Sequence, residues 1–132
     1  MDLKSQLGES SSYFEETITS EKLNVFRSAV QASTEGVPPT YLTRLREGEF
    51  ELLTRWGVTL DRVLHAEQEY EYLAPLLEGH TLRYRTRFLD LIEKKGNAGI
   101  LNFLAFELEV SDKRLGTLLA RGWTNFVIRG QI

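Results

Sequence analysis

The chain contains no cysteine, which excludes disulfides, thiolate nucleophiles and sulfur-based metal sites. It has only two histidines, His65 and His80, so few side chains are available to exchange a proton near neutral pH. No stretch approaches the roughly 20 apolar residues of a membrane span, and the opening MDLKSQLGESSSYF has no apolar core of signal-peptide length. The 16 Lys and Arg against 19 Asp and Glu leave a net charge of -3, which gives no electrostatic reason to bind nucleic acid or an anionic membrane. A G-x-S-x-G elbow, a P-loop, a dinucleotide fingerprint and recognised metal-ligand spacings are all missing. The expectation is a cytoplasmic protein with no metal and no cofactor.

What is present suits one packed domain. At 132 residues with 42% hydrophobic content, the chain is long enough for one core and too short for two. Residues 1–12 end in the polar run GESSS and are expected to form a flexible or extended arm ahead of a single domain over 13–132. Tyr13 to Thr19 has the aromatic and β-branched character of a short strand. Ser20 reads as a helix N-cap with Glu21 in the first turn, opening a helix to about Ser33 that carries Leu23, Phe26 and Val30 on one face. The two prolines of Val37-Pro38-Pro39-Thr40 predict an extended lead-in. A second amphipathic segment follows from Tyr41 to Trp56, anchored by Leu42, Leu45, Phe50, Leu52 and Leu53. Gly48 predicts a kink or a strand-then-helix arrangement inside it.

From Leu64 the period changes to two. Leu64, Ala66, Gln68, Tyr70 and Tyr72 alternate with His65, Glu67, Glu69 and Glu71. Leu82, Tyr84, Thr86 and Phe88 alternate with Arg83, Arg85 and Arg87. A hairpin between these two segments would oppose Glu71 to Arg83, Glu69 to Arg85 and Glu67 to Arg87 on an outer face. Ile100 to Val110 is a third long strand, apolar on both faces in its first half. There Leu89, Leu91, Leu101, Phe103 and Ala105 should face away from Phe88, Ile92, Leu104 and Phe106, so that a second apolar face needs cover. Leu115 to Arg129 is a last strand, with bulges expected at Gly116 and Gly122. Strand, helix, helix and then antiparallel strands describe an α+β fold in which a twisted sheet wraps around a central helix over 41–56, the hot-dog architecture.

Specific motifs then carry a resemblance. Val37-Pro38-Pro39-Thr40-Tyr41-Leu42, then Val63-Leu64-His65-Ala66-Glu67-Gln68-Glu69-Tyr70, then Pro75-Leu76 and Gly79-His80-Thr81-Leu82, resemble the N-terminal half of MaoC-like dehydratases. Corresponding stretches there read PPTF, VLHGEQ, a proline-leucine and a glycine-aspartate-threonine-leucine. The chain departs from them at Ala66, where glycine is frequent, and at His80, where aspartate is usual. The similarity covers about residues 13–130 and is greatest to the non-catalytic halves of (R)-specific enoyl-CoA hydratases and to accessory subunits of hydroxyacyl-ACP dehydratases. Catalytic halves carry D-x-N-P-x-H after the first helix, whereas here that region reads Gln31-Ala32-Ser33-Thr34-Glu35-Gly36-Val37.

The resemblance implies an acyl-thioester-binding subunit, with acyl-CoA or acyl-ACP as ligand, that pairs with a second MaoC-type hot-dog subunit bearing the catalytic Asp and His. No catalytic residue is assigned to this chain. Thr40, Tyr41, His65 and Gln68 are the substrate-binding candidates, beside a slot between sheet and helix; core packing is the competing role of Tyr41, and a backbone-bonded strand end that of His65. Glu67, Glu69 and Glu71 read as a solvated face rather than a carboxylate cluster. Two other functions remain open, a homodimeric acyl-CoA or acyl-ACP binding protein without chemistry and a hot-dog thioesterase using a carboxylate such as Glu67.

Overall fold

The computed structural model describes residues 2–30 and 36–130. Its elements are β1 (Phe14–Thr17), α1 (Ser20–Val30), a 3-10 helix Pro39–Arg44, α2 (Glu47–Arg55), β2 (Val63–Tyr72), β3 (Thr81–Gly96), β4 (Gly99–Asp112) and β5 (Leu118–Arg129). The strands form one antiparallel sheet in the order β1-β3-β4-β5-β2. The 3-10 helix and α2 lie across its concave face, giving the α+β hot-dog architecture. Among the described residues no helix is long and apolar enough to cross a membrane.

The core is two apolar clusters under the two halves of the central segment. Tyr41, Leu42 and Leu45 of the 3-10 turn meet Leu23 of α1 and Leu82, Tyr84, Val110 and Ala120 of the sheet. Leu52, Leu53 and Trp56 of α2 meet Phe88, Leu104, Phe106, Phe126 and Ile128. Trp56, Phe88, Phe106 and Phe126 form a chain of ring contacts with centroids 4.8, 5.4 and 5.7 Å apart. Leu52 and Leu53 are fully buried, and each contributes roughly 1.5–3 kcal/mol.

Several expectations change in the folded chain. The break in the central segment falls at Leu45 and Arg46, not at Gly48, which lies in the first turn of α2. Glycine is needed there because helix and sheet touch: a Cβ at 48 would stand 2.6 Å from Thr86 Oγ1 and 2.7 Å from Ser11 Oγ. Only Val37 and Pro38 are left of the extended lead-in, since the 3-10 helix starts at Pro39 with Thr40 inside it. The cap of α1 is Thr19, whose Oγ1 accepts from Lys22 N at 3.2 Å; Ser20 is already helical. The expected end of that helix near Ser33 lies outside the described residues.

Of the flexible or extended arm expected, residues 8–11 run along the sheet edge and are tied down. Leu3 is buried, and Gly8 N and Ser11 N donate to Phe88 O and Thr86 O, extending the cover of the β3 edge beyond β1. Polar GESSS manages this through backbone bonds, which need no apolar side chains.

Strand pairing departs most from expectation. β2 and β3 do not form a hairpin; β4 and β5 lie between them. Glu71 opposes Arg121, while Arg85 and Arg87 oppose Glu109 and Glu107. The charge row exists, running Glu71, Arg121, Glu109, Arg85 across four strands, with partners other than those expected. Extra residues at Ala66, Leu89 and Leu119 shift the register. The Leu89 bulge turns Leu91 inward, opposite Leu104, and Ile92 outward, opposite Phe103, the reverse of the unbroken alternation. Gly122 is regular strand and Gly116 a turn residue with φ 72°; Gly122 leaves room for the Tyr70 ring, 3.0 Å from where a Cβ would be.

Candidate functional site

β2 is an edge strand, and its inward column decides what can be offered to a ligand. With Ala66 as the extra residue, His65 opposes Phe126 while Glu67 opposes Asn125. Phe126 points into the core and Asn125 does not, so His65 and Glu67 lie on opposite faces, against the expectation that they share one. His65 thereby joins Gln68, Tyr70 and Tyr72 on the inner face, its ring 5.8 Å from that of Phe126. Glu67 faces outward and accepts from Asn125 Nδ2 at 3.1 Å.

The start of α2 faces this column. Glu49 is buried and pairs with Arg46, whose Nε donates to Oε2 at 3.1 Å. The Arg46 guanidinium lies over the rings of Phe50 and Phe126, at 5.8 and 5.7 Å. The Tyr70 hydroxyl is buried with no hydrogen-bond partner among the described residues, and burial raises its pKa above the usual tyrosine value. Tyr72 closes the column by donating its hydroxyl to Pro39 O; burial pushes its pKa up to about 12.

At that end an open apolar groove of about 580 Å³ runs between the lead-in and the loop after β2. Val37 and Pro39 form one side, and Leu73, Ala74, Leu76 and Leu77 the other. Its volume falls in the usual range for small-molecule sites. The loop is held by His80, whose Nδ1 accepts from Leu77 N at 3.2 Å while Nε2 stands 3.9 Å from Asp112 Oδ2. Asp112 is itself occupied by Arg114 N and Leu115 N. With both ring nitrogens directed at the protein, His80 is a loop clip.

Of the four residues chosen from sequence, His65 and Gln68 come together on the β2 column. Thr40 is exposed beside the groove, joined to the column through Tyr72 and Pro39. Tyr41 is fully buried, its hydroxyl donating to Glu16 Oε2 at 2.7 Å and its ring edge-on to Phe26. Arg44 also binds Glu16, at 3.2 Å. Burial, first, and then the Glu16 carboxylate raise the Tyr41 pKa above the ordinary range. Sequence reasoning missed Tyr72, Arg46, Glu49 and the Leu73–Leu77 wall. The Pro75-Leu76 motif marks that wall, but Arg46 and Glu49 carry no signal apart from their helix.

Among the described residues no group of three His, Asp or Glu is placed to hold a metal ion. Of the region 31–37 that aligns with the catalytic dyad, residues 31–35 lie outside the described residues. His65, the histidine on the inner β2 column, has no carboxylate in ion-pair range among the described residues.

A single sheet wrapped around a central helix, with an edge strand and an apolar groove at the helix entrance, defines a hot-dog domain. The family profile described as "FAS1-like, dehydratase domain region" matches residues 35–118, and the chain belongs to that family of MaoC-like hot-dog dehydratases. The fold is similar to C-terminally truncated HadBC, a 3R-hydroxyacyl-ACP dehydratase complex from Mycobacterium tuberculosis, with TM-score 0.72 and 16% identity over 92% of this chain and 96% of that one. A "MaoC-like dehydratase" gives TM-score 0.75 and 17% identity over 96% of this chain, which spans only 43% of that protein. The (R)-hydratase from A. caviae involved in PHA biosynthesis gives TM-score 0.64 and 13% identity, covering 91% and 94%. No curated protein sequence matches significantly.

Proposed function

We propose that this chain is the acyl-thioester-binding, non-catalytic subunit of an (R)-specific enoyl-CoA hydratase or 3-hydroxyacyl-thioester dehydratase, equivalent to the N-terminal half of MaoC-like proteins. A second hot-dog subunit supplies Asp and His. The observation that carries this reading is the state of the two histidines. His80 has both nitrogens directed at the protein, and His65 lacks an orienting carboxylate among the described residues. Hydration of an enoyl thioester needs a base for water and an acid for the α-carbon; among the described residues no histidine–carboxylate pair stands on the β2 column to serve as the base.

What is assembled suits binding. The groove beside Thr40 takes an apolar chain, and His65 and Gln68 present polar groups along the inner column of an edge strand. That edge is free to pair with a partner's sheet. In the thioesterase reading the carboxylate of Glu67 would do the chemistry, but it points to the outer face and is bonded to Asn125, so the geometry argues against it. A homodimeric binding protein without chemistry differs from the proposal in its partner alone.

Co-purification from the native host tests the assignment. A tagged copy should bring down a second hot-dog chain carrying D-x-N-P-x-H, and recovery of the tagged chain only with itself would favour the homodimeric binding protein.

A further inference from the structure

The outer face of the sheet carries an ordered pattern that the acyl-binding reading does not use. The strand registers place Ile92, Phe103, Val127 and Leu64 in one row across β3, β4, β5 and β2. Ile92 and Leu64 at its ends are 50% and 57% exposed, and Phe103 and Val127 are half-buried. One row toward the β3–β4 turn, Lys94 and Arg129 flank Leu101. One row the other way, Asp90 and Glu67 flank Ala105 and Asn125. All four of these charged residues are exposed. An apolar stripe therefore runs between a basic row and an acidic row.

We propose that this face binds a second copy of the same chain, sheet against sheet, about a two-fold axis lying along the apolar row. The charges select the axis. Rotation about that line lays Ile92 and Phe103 on their own counterparts, brings Lys94 over the partner's Asp90, and sets Arg129 beside the partner's Glu67. A two-fold along the strand direction would instead face Asp90 with the partner's Glu67, a like-charge contact. Isologous contacts of this kind close as a dimer and do not propagate. Sheets packed face to face stand about 10 Å apart, a gap that interdigitated Phe and Ile side chains can fill.

Three rows on four strands span roughly 400 Å² of sheet, about half of the roughly 800 Å² per partner of a standard interface. The contact is thus of modest size. It lies on the sheet's face and leaves the β2 edge free, so it does not depend on the heteromeric reading, and both surfaces can be occupied together.

Sedimentation of the purified chain across a concentration series tests this. The wild-type chain should dimerise reversibly, and Ile92→Glu should weaken self-association at least tenfold; half-exposed Ile92 can be changed without unfolding the domain, which circular dichroism checks. Lys94→Asp should weaken it several-fold, and adding Asp90→Lys should restore it, because each chain then carries the reversed pair. A wild-type chain that stays monomeric overturns the proposal. So does self-association unchanged by Ile92→Glu, which would assign it to the strand edge, and so does a charge reversal that the second substitution fails to rescue.

Discussion

Replacing Gly48 by alanine sets two physical effects against each other. Alanine favours a helix over glycine by about 0.5–1 kcal/mol, so propensity alone makes the variant more stable. The packing says otherwise, because the new methyl would stand 2.6 Å from Thr86 Oγ1, 2.7 Å from Ser11 Oγ and 2.8 Å from Thr86 Cβ. Thr86 is 2% exposed and Ser11 7%. Ser11 Oγ also accepts from Thr86 N at 3.0 Å, so the Ser11 side chain is held where the new methyl would stand. Overpacking of this kind costs roughly 1–3 kcal/mol, which outweighs the propensity gain and leaves a net loss of about 1–2 kcal/mol. Thermal unfolding should then fall by roughly 4–8 °C for a chain of this size. Thr86→Ala added to the variant removes the Oγ1 clash but keeps the Cβ, so it should recover part of the loss at most. A Gly48→Ala protein as stable as wild type or more so would refute the close approach of α2 to the sheet.

Other predictions follow from the same contacts. Tyr41→Phe removes the hydroxyl that donates to the Glu16 carboxylate in a buried setting, and urea unfolding should report a loss of about 1.5–3 kcal/mol. Tyr41, Tyr70, Tyr72 and Tyr84 all have pKa values raised above the ordinary tyrosine value of about 10, chiefly by burial. The unfolded tyrosines therefore lose protons first, so stability is full below pH 10 and falls as pH climbs from there toward 12; unfolding midpoints measured from pH 8 to 11 should drop at the alkaline end, and a flat profile would contradict the burial of these hydroxyls. A double-mutant cycle on Glu71 and Arg121 should show a coupling of about 0.2–1 kcal/mol, whereas one on Glu71 and Arg83 should show none; the opposite result would restore the β2–β3 hairpin.

The alternation of apolar and polar residues made the strands and the wrapped helix legible, because side-chain direction along a strand has period two and the central segment carries one apolar stripe. Neighbours were less legible. Arg85 and Arg87 accept acidic partners equally well from β2 or β4, so charge complementarity alone could not tell that β4 and β5 intervene. Nor could alternation reveal the extra residues at Ala66 and Leu89, each of which inverts the faces beyond it. Those inversions put His65 on the face opposite Glu67 and turn Ile92 outward. The site was legible where motifs marked it, at Val37–Thr40, His65, Gln68 and Pro75-Leu76. Arg46 and Glu49 emerged only from the contact of α2 with the sheet.

We propose that this domain holds an acyl thioester without converting it. Steady-state hydration of crotonyl-CoA tests it most directly, measured for the purified chain alone and after mixing with a MaoC-type subunit that carries the Asp and His. No turnover by the chain alone, with hydration appearing in the mixture, is the predicted result. Efficient turnover by the isolated chain, lost on His65→Ala, would contradict it.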